Sequence, residues 1–373
     1  MRAIRTRFVL LSVAALLVVA CGGSPAPGPV IVLDPIHVKA TRDEERIVVD
    51  AYDASGLFDR AARELRVGRC EEAIRIYRQL VTEFKESRLA AASLYNAGLC
   101  EEQLGRFEKA AASYEDLVAS YPDSRDVNDA LFRAGGAYER LLAWDKAAAA
   151  FDRLLALRKD LAGIDRVEAL ARKGSALLEL GRRAEARLAL EDAVTLYRSG
   201  RGISATAPVF HFAMAEFKLG EVLHDEMREV LLPAEEAAIE PALKHKCDLL
   251  LEAQAAYSKA IEAGHPHWAA AAAYRIGALY RDLWEDLLAA PVPPDLDAEA
   301  QDVYREVLRG RIRVLLRKAV AQWERTLKMA VRLGLDNEWV DRTTRDLDAI
   351  RELLRLDEAS VTLPQKDGKE TKP

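Results

Sequence analysis

The sequence predicts an all-α chain, a solenoid of about six helical hairpins closed by a long C-terminal helix and a capping helix. Three observations carry that expectation. From Leu57 onward apolar residues recur at helical spacing, in short runs punctuated by glycine. One pattern returns along the chain, with turn positions at 68, 105, 142 and 181. The composition is half apolar yet only 7% aromatic, with alanine supplying the small residues that let helices approach closely.

The first element is an address rather than a fold. Arg2, Arg5 and Arg7 precede an apolar run from Phe8 to Ala20 that is too short to span a bilayer as a mature helix. It ends in Leu17-Val18-Val19-Ala20-Cys21 and is followed by Gly22-Gly23-Ser24. This resembles the lipobox of bacterial lipoproteins. The resemblance implies cleavage before Cys21, diacylglycerol on its thiol and an acylated new amine. More than one acyl chain gives stable anchoring without a spanning helix. Gly22 stands where an Asp would signal inner-membrane retention, so the expected location is the outer membrane, facing the periplasm. Loss of residues 1–20 removes three arginines and no acid, moving the formal charge from −6 to −9.

Residues 21–53 read as the lipidated cysteine and an extended tether. Pro25, Pro27 and Pro29 hold its start non-helical. Val30–Leu33 and Ile36–Val38 are short apolar runs, suited either to a partner's sheet edge or to the chain's own body.

Residues 54–200 carry the regular repeats. Leu94, Ala97, Gly98, Gly105, Phe107, Ala110, Tyr114, Leu117 and Pro122 form one unit. This unit resembles the tetratricopeptide repeat, with small residues at positions eight and twenty, glycine at fifteen, aromatics at seventeen and twenty-four and proline at thirty-two. The same frame fits Gly68, Ala73 and Tyr77 upstream, and Gly135, Trp144, Ala147 and Phe151 downstream, with Leu142 in the turn position. A fourth copy has Gly174, Gly181, Ala186 and Leu190. One hairpin cannot bury both its faces, so copies must stack.

Residues 201–356 read as degenerate copies. Phe217, Leu219 and Gly220 open a fifth hairpin whose return is expected at Leu249–Ala263, after an insertion holding Pro233 and Pro241. Tyr274, Ile276 and Gly277 open a sixth, whose return helix is expected over Asp297–Leu333. A final amphipathic helix with Trp339, Leu347 and Ile350 is expected to cap the stack. Residues 357–373 are polar and read as a disordered tail.

Several functions find no support. An acidic pI near 5.7 argues against nucleic-acid binding. There is no HExxH, CxxC, Gly-rich phosphate loop or Gly-x-Ser-x-Gly, so the chain does not read as an enzyme, and no cofactor or metal is implied. His265-Pro266-His267 lacks an evident third ligand and reads as a helix start. Cys70 and Cys100 lie in neighbouring repeats, where a disulfide and two small buried fillers are the competing readings.

Two surfaces remain as candidate sites. In tetratricopeptide proteins position five lines the concave groove, which here implies Phe58, Tyr95, Phe132, Phe217 and Tyr274, with Glu102, His224 and Asp282 nearby. The rings either grip a partner segment or pack intramolecularly. The Lys/Asn pattern with which chaperone-binding relatives clamp a carboxylate is missing. The second surface is a basic helix face with Arg305, Arg309, Arg313 and Arg317, either free for an anionic partner or neutralised by acids such as Asp286, Asp297 and Asp302.

The combined resemblance is to lipid-anchored repeat proteins that serve as scaffolds of outer-membrane protein assembly and envelope coordination. It extends to the tetratricopeptide lipoproteins of myxobacterial gliding-motility complexes. It implies protein partners in the envelope, outer-membrane barrels or periplasmic subunits, and membrane attachment through the lipid. A lipoprotein binding peptidoglycan, another glycan or a soluble ligand is the alternative.

Overall fold

The computed structural model describes residues 35–43, 46–157, 161–293 and 295–362. Residues 1–34, with the expected signal peptide and Cys21, lie outside them, as do residues 363–373 of the expected tail. The chain divides into two units, Met1–Asp53 and Ala54–Pro373.

In the first unit, β1 (His37–Asp43) and β2 (Arg46–Tyr52) form an antiparallel pair running from His37↔Tyr52 to Asp43↔Arg46. Over residues 37–52 a strand pair thus stands where an extended tether is expected, while residues 21–34 of that tether lie outside the described residues. The Arg46-Ile-Val-Val-Asp-Ala-Tyr52 run is rich in β-branched residues, which suit a pleated pair, and it satisfies the strand containing Val38.

Among the described residues the regular elements of the second unit are all helices. Hairpins form from α1 (Ala54–Arg66) and α2 (Cys70–Glu83), α3 (Ala90–Gln103) and α4 (Phe107–Ser120), and α5 (Val127–Arg140) and α6 (Trp144–Leu157). They continue with α7 (Gly163–Glu179) and α8 (Arg183–Ser199), α9 (Phe210–Glu229) and α10 (Glu236–Glu262), and α11 (Pro266–Ala289) and α12 (Ala298–Leu333). The last helix is α13 (Glu338–Thr362), which continues past the expected tail start at Asp357.

Each of the first four hairpins turns by the same device. The backbone N–H three residues beyond the first helix bonds back five residues, as Arg69 to Glu64 O, Arg106 to Glu101 O, Ala143 to Tyr138 O and Arg182 to Leu177 O. This arrangement requires a left-handed residue just before the donor. Gly68, Gly105 and Gly181 supply it with φ of 77°, 72° and 72°. The third turn uses Leu142 at φ 56°, the single non-glycine residue with positive φ among the described residues, and its side chain is exposed. A left-handed L-residue costs about 1 kcal/mol. Leu142→Gly is therefore expected to stabilise the fold by about 1 kcal/mol, read as a higher urea midpoint with unchanged slope.

Small residues at position eight set the hairpin spacing. A Cβ added at Gly98 or Gly135 would lie 2.5 Å from the Tyr114 or Phe151 ring, and one at Gly174 would lie 2.6 Å from Leu190. Gly220 meets Tyr257 in the same way, and Gly277 meets Trp323. The register continues through all the later hairpins, although their loops differ.

The fifth hairpin departs from the expected boundaries. The helix α10 starts at Glu236, with Pro241 inside it, and the insertion shrinks to residues 230–235. Pro241 is the sixth residue of this helix, past the first four N–H groups that lack intrahelical acceptors, so the helix continues through it at the cost of one backbone bond. The lengthened helix is held by Lys246, which is 1% exposed. Its Nζ donates to Met227 O at 2.6 Å and Val230 O at 2.9 Å and pairs with Asp286 at 2.8 Å. A lysine thus caps the C-terminal carbonyls of α9 from inside the protein.

Candidate partner-binding groove

Every position-five ring meets the position-twenty-four ring of its own hairpin. The centroid separations are 5.6 Å for Phe58–Tyr77, 5.8 Å for Tyr95–Tyr114, 6.3 Å for Phe132–Phe151, 5.7 Å for Phe217–Tyr257 and 6.0 Å for Tyr274–Trp323. Removing the Cβ at position eight lets the second ring reach under the first. The five predicted residues therefore share one structural role, but they do not share one exposure.

Phe58, Tyr95 and Phe132 are half-buried. A cleft of ≈ 440 Å³ runs beside Phe132, walled by Phe107, Arg133, Arg140, Arg172 and Glu102, with Gly136 at its floor. A second open cleft, of ≈ 840 Å³, includes Phe58, Ala91 and Ala92 and the turns before α3 and α5. Small residues beside half-buried rings leave room for a guest side chain.

Charges around these rings are ordered by pairing between successive repeats. Arg133 donates to Glu102 at 2.9 Å, and Tyr114 donates to the other oxygen of the same carboxylate at 2.9 Å. Burial, together with the Glu102 charge, pushes the Tyr114 hydroxyl well above its ordinary value, so it stays a donor. Arg172 donates to Glu139 at 2.7 Å and to Glu168 at 3.0 Å and lies 4.7 Å over the Phe151 ring. Burial opposes the Arg172 charge, but the two carboxylates outweigh it and raise its pKa. Arg140 stands over Phe107 at 5.2 Å and is exposed at the cleft.

Phe217 and Tyr274 are 2% and 7% exposed and pack within the chain. Trp268 packs on Phe217 at 5.2 Å, and Trp339 from α13 reaches Phe217 at 6.0 Å and Tyr274 at 5.7 Å. The same helix supplies Asp346, which accepts from Tyr274 at 2.8 Å and from Arg281 at 2.7 Å. The capping helix therefore also fills the last two hairpins' groove. Composition could suggest that α13 was amphipathic, but not that Trp339 and Asp346 face these particular rings.

Beneath α13 lies a buried polar chain. His224 hydrogen-bonds Asp282 at 3.0 Å and Tyr257 at 3.3 Å, and Tyr257 donates to Glu221. Arg275 also donates to Glu221, at 2.6 Å, and Arg281 donates to Asp282 at 2.8 Å. Burial opposes ionisation of Asp282, but the His224 hydrogen bond and Arg281 hold its carboxyl below the usual value. The chain ties α9, α10, α11 and α13 together and satisfies each charge internally.

The remaining candidates resolve simply. His265 precedes α11 with its ring 4.9 Å from Phe210, and His267 stacks edge-on to Trp268 at 4.8 Å. Both therefore sit at a helix start. Cys70 and Cys100 are free thiols. Cys70 donates to Gln103 Oε1 at 2.9 Å, while burial, then the neighbouring Cys70, pushes the Cys100 thiol up to about 12.

The four predicted arginines of α12 do not share one outward face. Residues four apart drift by about 40° per step, so they wind round the helix from Arg305 to Arg317. Arg305 pairs with Asp302 at 2.9 Å. Arg309 and Arg317 are exposed, and Arg313 is half-buried. Of the acids expected to neutralise them, Asp286 serves Lys246 and Asp297 caps α12 through the Ala300 N–H at 2.9 Å.

Three profiles of the tetratricopeptide-repeat family match the chain, over residues 58–125, 129–159 and 167–199. Curated proteins offer no match. Among solved structures, MamA of Desulfovibrio magneticus RS-1 is similar at 17% identity over 53% of this chain and 93% of its own, with a TM-score of 0.35. YrrB, described as a TPR protein with an unusual peptide-binding site, is 19% identical over 66% of this chain and 91% of its own, at 0.38. A tetratricopeptide repeat protein from Parabacteroides merdae ATCC 43184 is 16% identical over 82% of this chain and 98% of its own, at 0.37. Repeats of this kind mediate protein–protein interactions. Matched by profile and built on the left-handed turn and a small residue at position eight, residues 58–125, 129–159 and 167–199 are tetratricopeptide repeats.

Proposed function

We propose that the chain is a protein-binding scaffold whose open groove, at Phe58, Tyr95 and Phe132, takes a segment of a partner. The carrying observation is the contrast between two ends of one ring ladder. In the last two hairpins α13 already occupies the groove, whereas the corresponding rings of the first three hairpins are half-buried, with Phe58 and Phe132 beside clefts. Half-buried aromatics at little entropic cost, ringed by paired charges, are the chemistry of a binding hot spot.

The setting belongs to the same proposal. The lipobox ending in Cys21 supports acylation and attachment to the outer membrane facing the periplasm. Partners there are outer-membrane barrels or periplasmic subunits, in complexes of envelope assembly or gliding motility. Photo-crosslinking side chains placed at Tyr95 and Phe132, with Phe217 and Tyr274 as covered controls, test this in the native host. Adducts to other proteins at the first pair and none at the second are expected. Equal labelling at all four sites, or at none, would refute the groove.

A further inference from the structure

The outward face of α12 is a surface the partner groove does not use. Ile312, Leu316, Ala319, Trp323, Thr326 and Ala330 turn one side of this helix into the core. Opposite them, Val303, Val307, Val314, Lys318, Ala321, Arg325, Lys328 and Arg332 follow one another at steps of three, four or seven residues and so form one stripe. Val303, Val307 and Val314 are 57%, 51% and 53% exposed. Lys318, Arg325, Lys328 and Arg332 are also exposed, as is Arg311 beside the stripe.

No acid interrupts this stripe. Between Val303 and Arg332 the acids are Glu306 and Glu324, both on its flank, and Glu324 is taken by Arg351 at 2.7 Å. Where α11 meets the stripe, a cleft of ≈ 360 Å³ is lined by Gln254, Tyr280, Val314, Lys318 and Arg325 among others, with no carboxylate in its wall. Lys318 sits 5.3 Å over the Tyr280 ring.

We propose that this face docks on an anionic phospholipid surface. Exposed valines enter the boundary between headgroups and acyl chains, while flexible Lys and Arg stems reach the phosphates. A protein partner is the weaker fit, because no residue of the stripe is aromatic and Tyr280 in the cleft beside it is already covered by Lys318, whereas protein hot spots centre on aromatic anchors. The full chain carries a formal charge of −6, so an anionic surface repels most of it and attracts this helix, which fixes the orientation. The docking does not require acylation of Cys21 or an occupied groove, and it fails or stands separately from both.

The test uses the full chain with Cys21→Ser, which cannot be acylated, and vesicles of phosphatidylcholine with or without phosphatidylglycerol. The apolar N-terminal run contributes to both vesicle types, and Arg2, Arg5 and Arg7 are replaced by Gln in every chain tested, so the readout is the increment due to phosphatidylglycerol. That increment is expected to be about tenfold or more and to shrink with salt. It should vanish in Arg311→Glu/Lys318→Glu/Arg325→Glu/Lys328→Glu with unchanged circular dichroism, and fall in Val303→Ser/Val307→Ser/Val314→Ser. No increment in the wild-type sequence, or an increment kept by the charge variant, would overturn the proposal. Indifference to the valine changes, with equal binding to polyglutamate, would assign the face to an acidic protein instead.

Discussion

Replacing Trp323 by alanine is expected to unfold the last hairpin and its cap while the first four hairpins stay folded. Trp323 is 0% exposed, its indole N–H donates to Tyr274 O at 2.9 Å, and its ring fills the space above Gly277. It also anchors the cluster in which Leu347 and Ile350 of α13 are buried. Truncating a fully buried Trp costs about 4 kcal/mol. In a stack where each hairpin contacts mainly its neighbours, that loss stays local rather than spreading through one cooperative unit. Hydrogen exchange should show loss of protection across residues 266–362 with little change in residues 54–199. Uniform loss along the whole chain would mean that the hairpins do not behave as a one-dimensional array.

Lys246→Met is expected to be the second large effect. Methionine fills the channel but leaves the Met227 and Val230 carbonyls and the Asp286 carboxylate without the ammonium they share. Breaking one partner of a buried pair costs about 3 kcal/mol. Adding Asp286→Leu should restore part of it, because the stranded charge is then gone. Denaturant midpoints of the two variants decide the matter. A double variant no better than the single one would place the loss in the α9 carbonyls alone.

Much of this architecture was legible because it repeats. The turn positions at 68, 105, 142 and 181, the position-eight glycines and the return helix ending at Leu333 follow from a pattern that local chemistry enforces at every copy. Leu142 stands out in the sequence as the exception to the turn glycine, and it is the one left-handed leucine among the described residues. What was not legible depends on single contacts. Pro241 marked a break by composition, yet α10 runs through it, anchored by Lys246. The β1–β2 pair was hidden by the proline-rich stretch before it, which made the whole segment look extended.

The groove was half legible for a similar reason. Position five was identified in every hairpin, and all five rings do lie on position-twenty-four partners. Which of them stay open depends on where α13 lands, and that is set by Trp339 and Asp346 meeting Phe217, Tyr274 and Arg281. No spacing rule within the repeats encodes that contact. On α12 the arginine count suggested a basic face, but the outward stripe is set by the helix's buried side.

The groove is tested most directly by comparing the native chain with Tyr95→Ala/Phe132→Ala, measuring partner capture and melting temperature together. Both rings are half-buried, so their loss removes contact area from the groove more than from the core. The expected result is loss of captured protein with a melting temperature nearly unchanged. Undiminished capture, or a large fall in melting temperature with capture lost only in proportion to unfolding, would contradict the account.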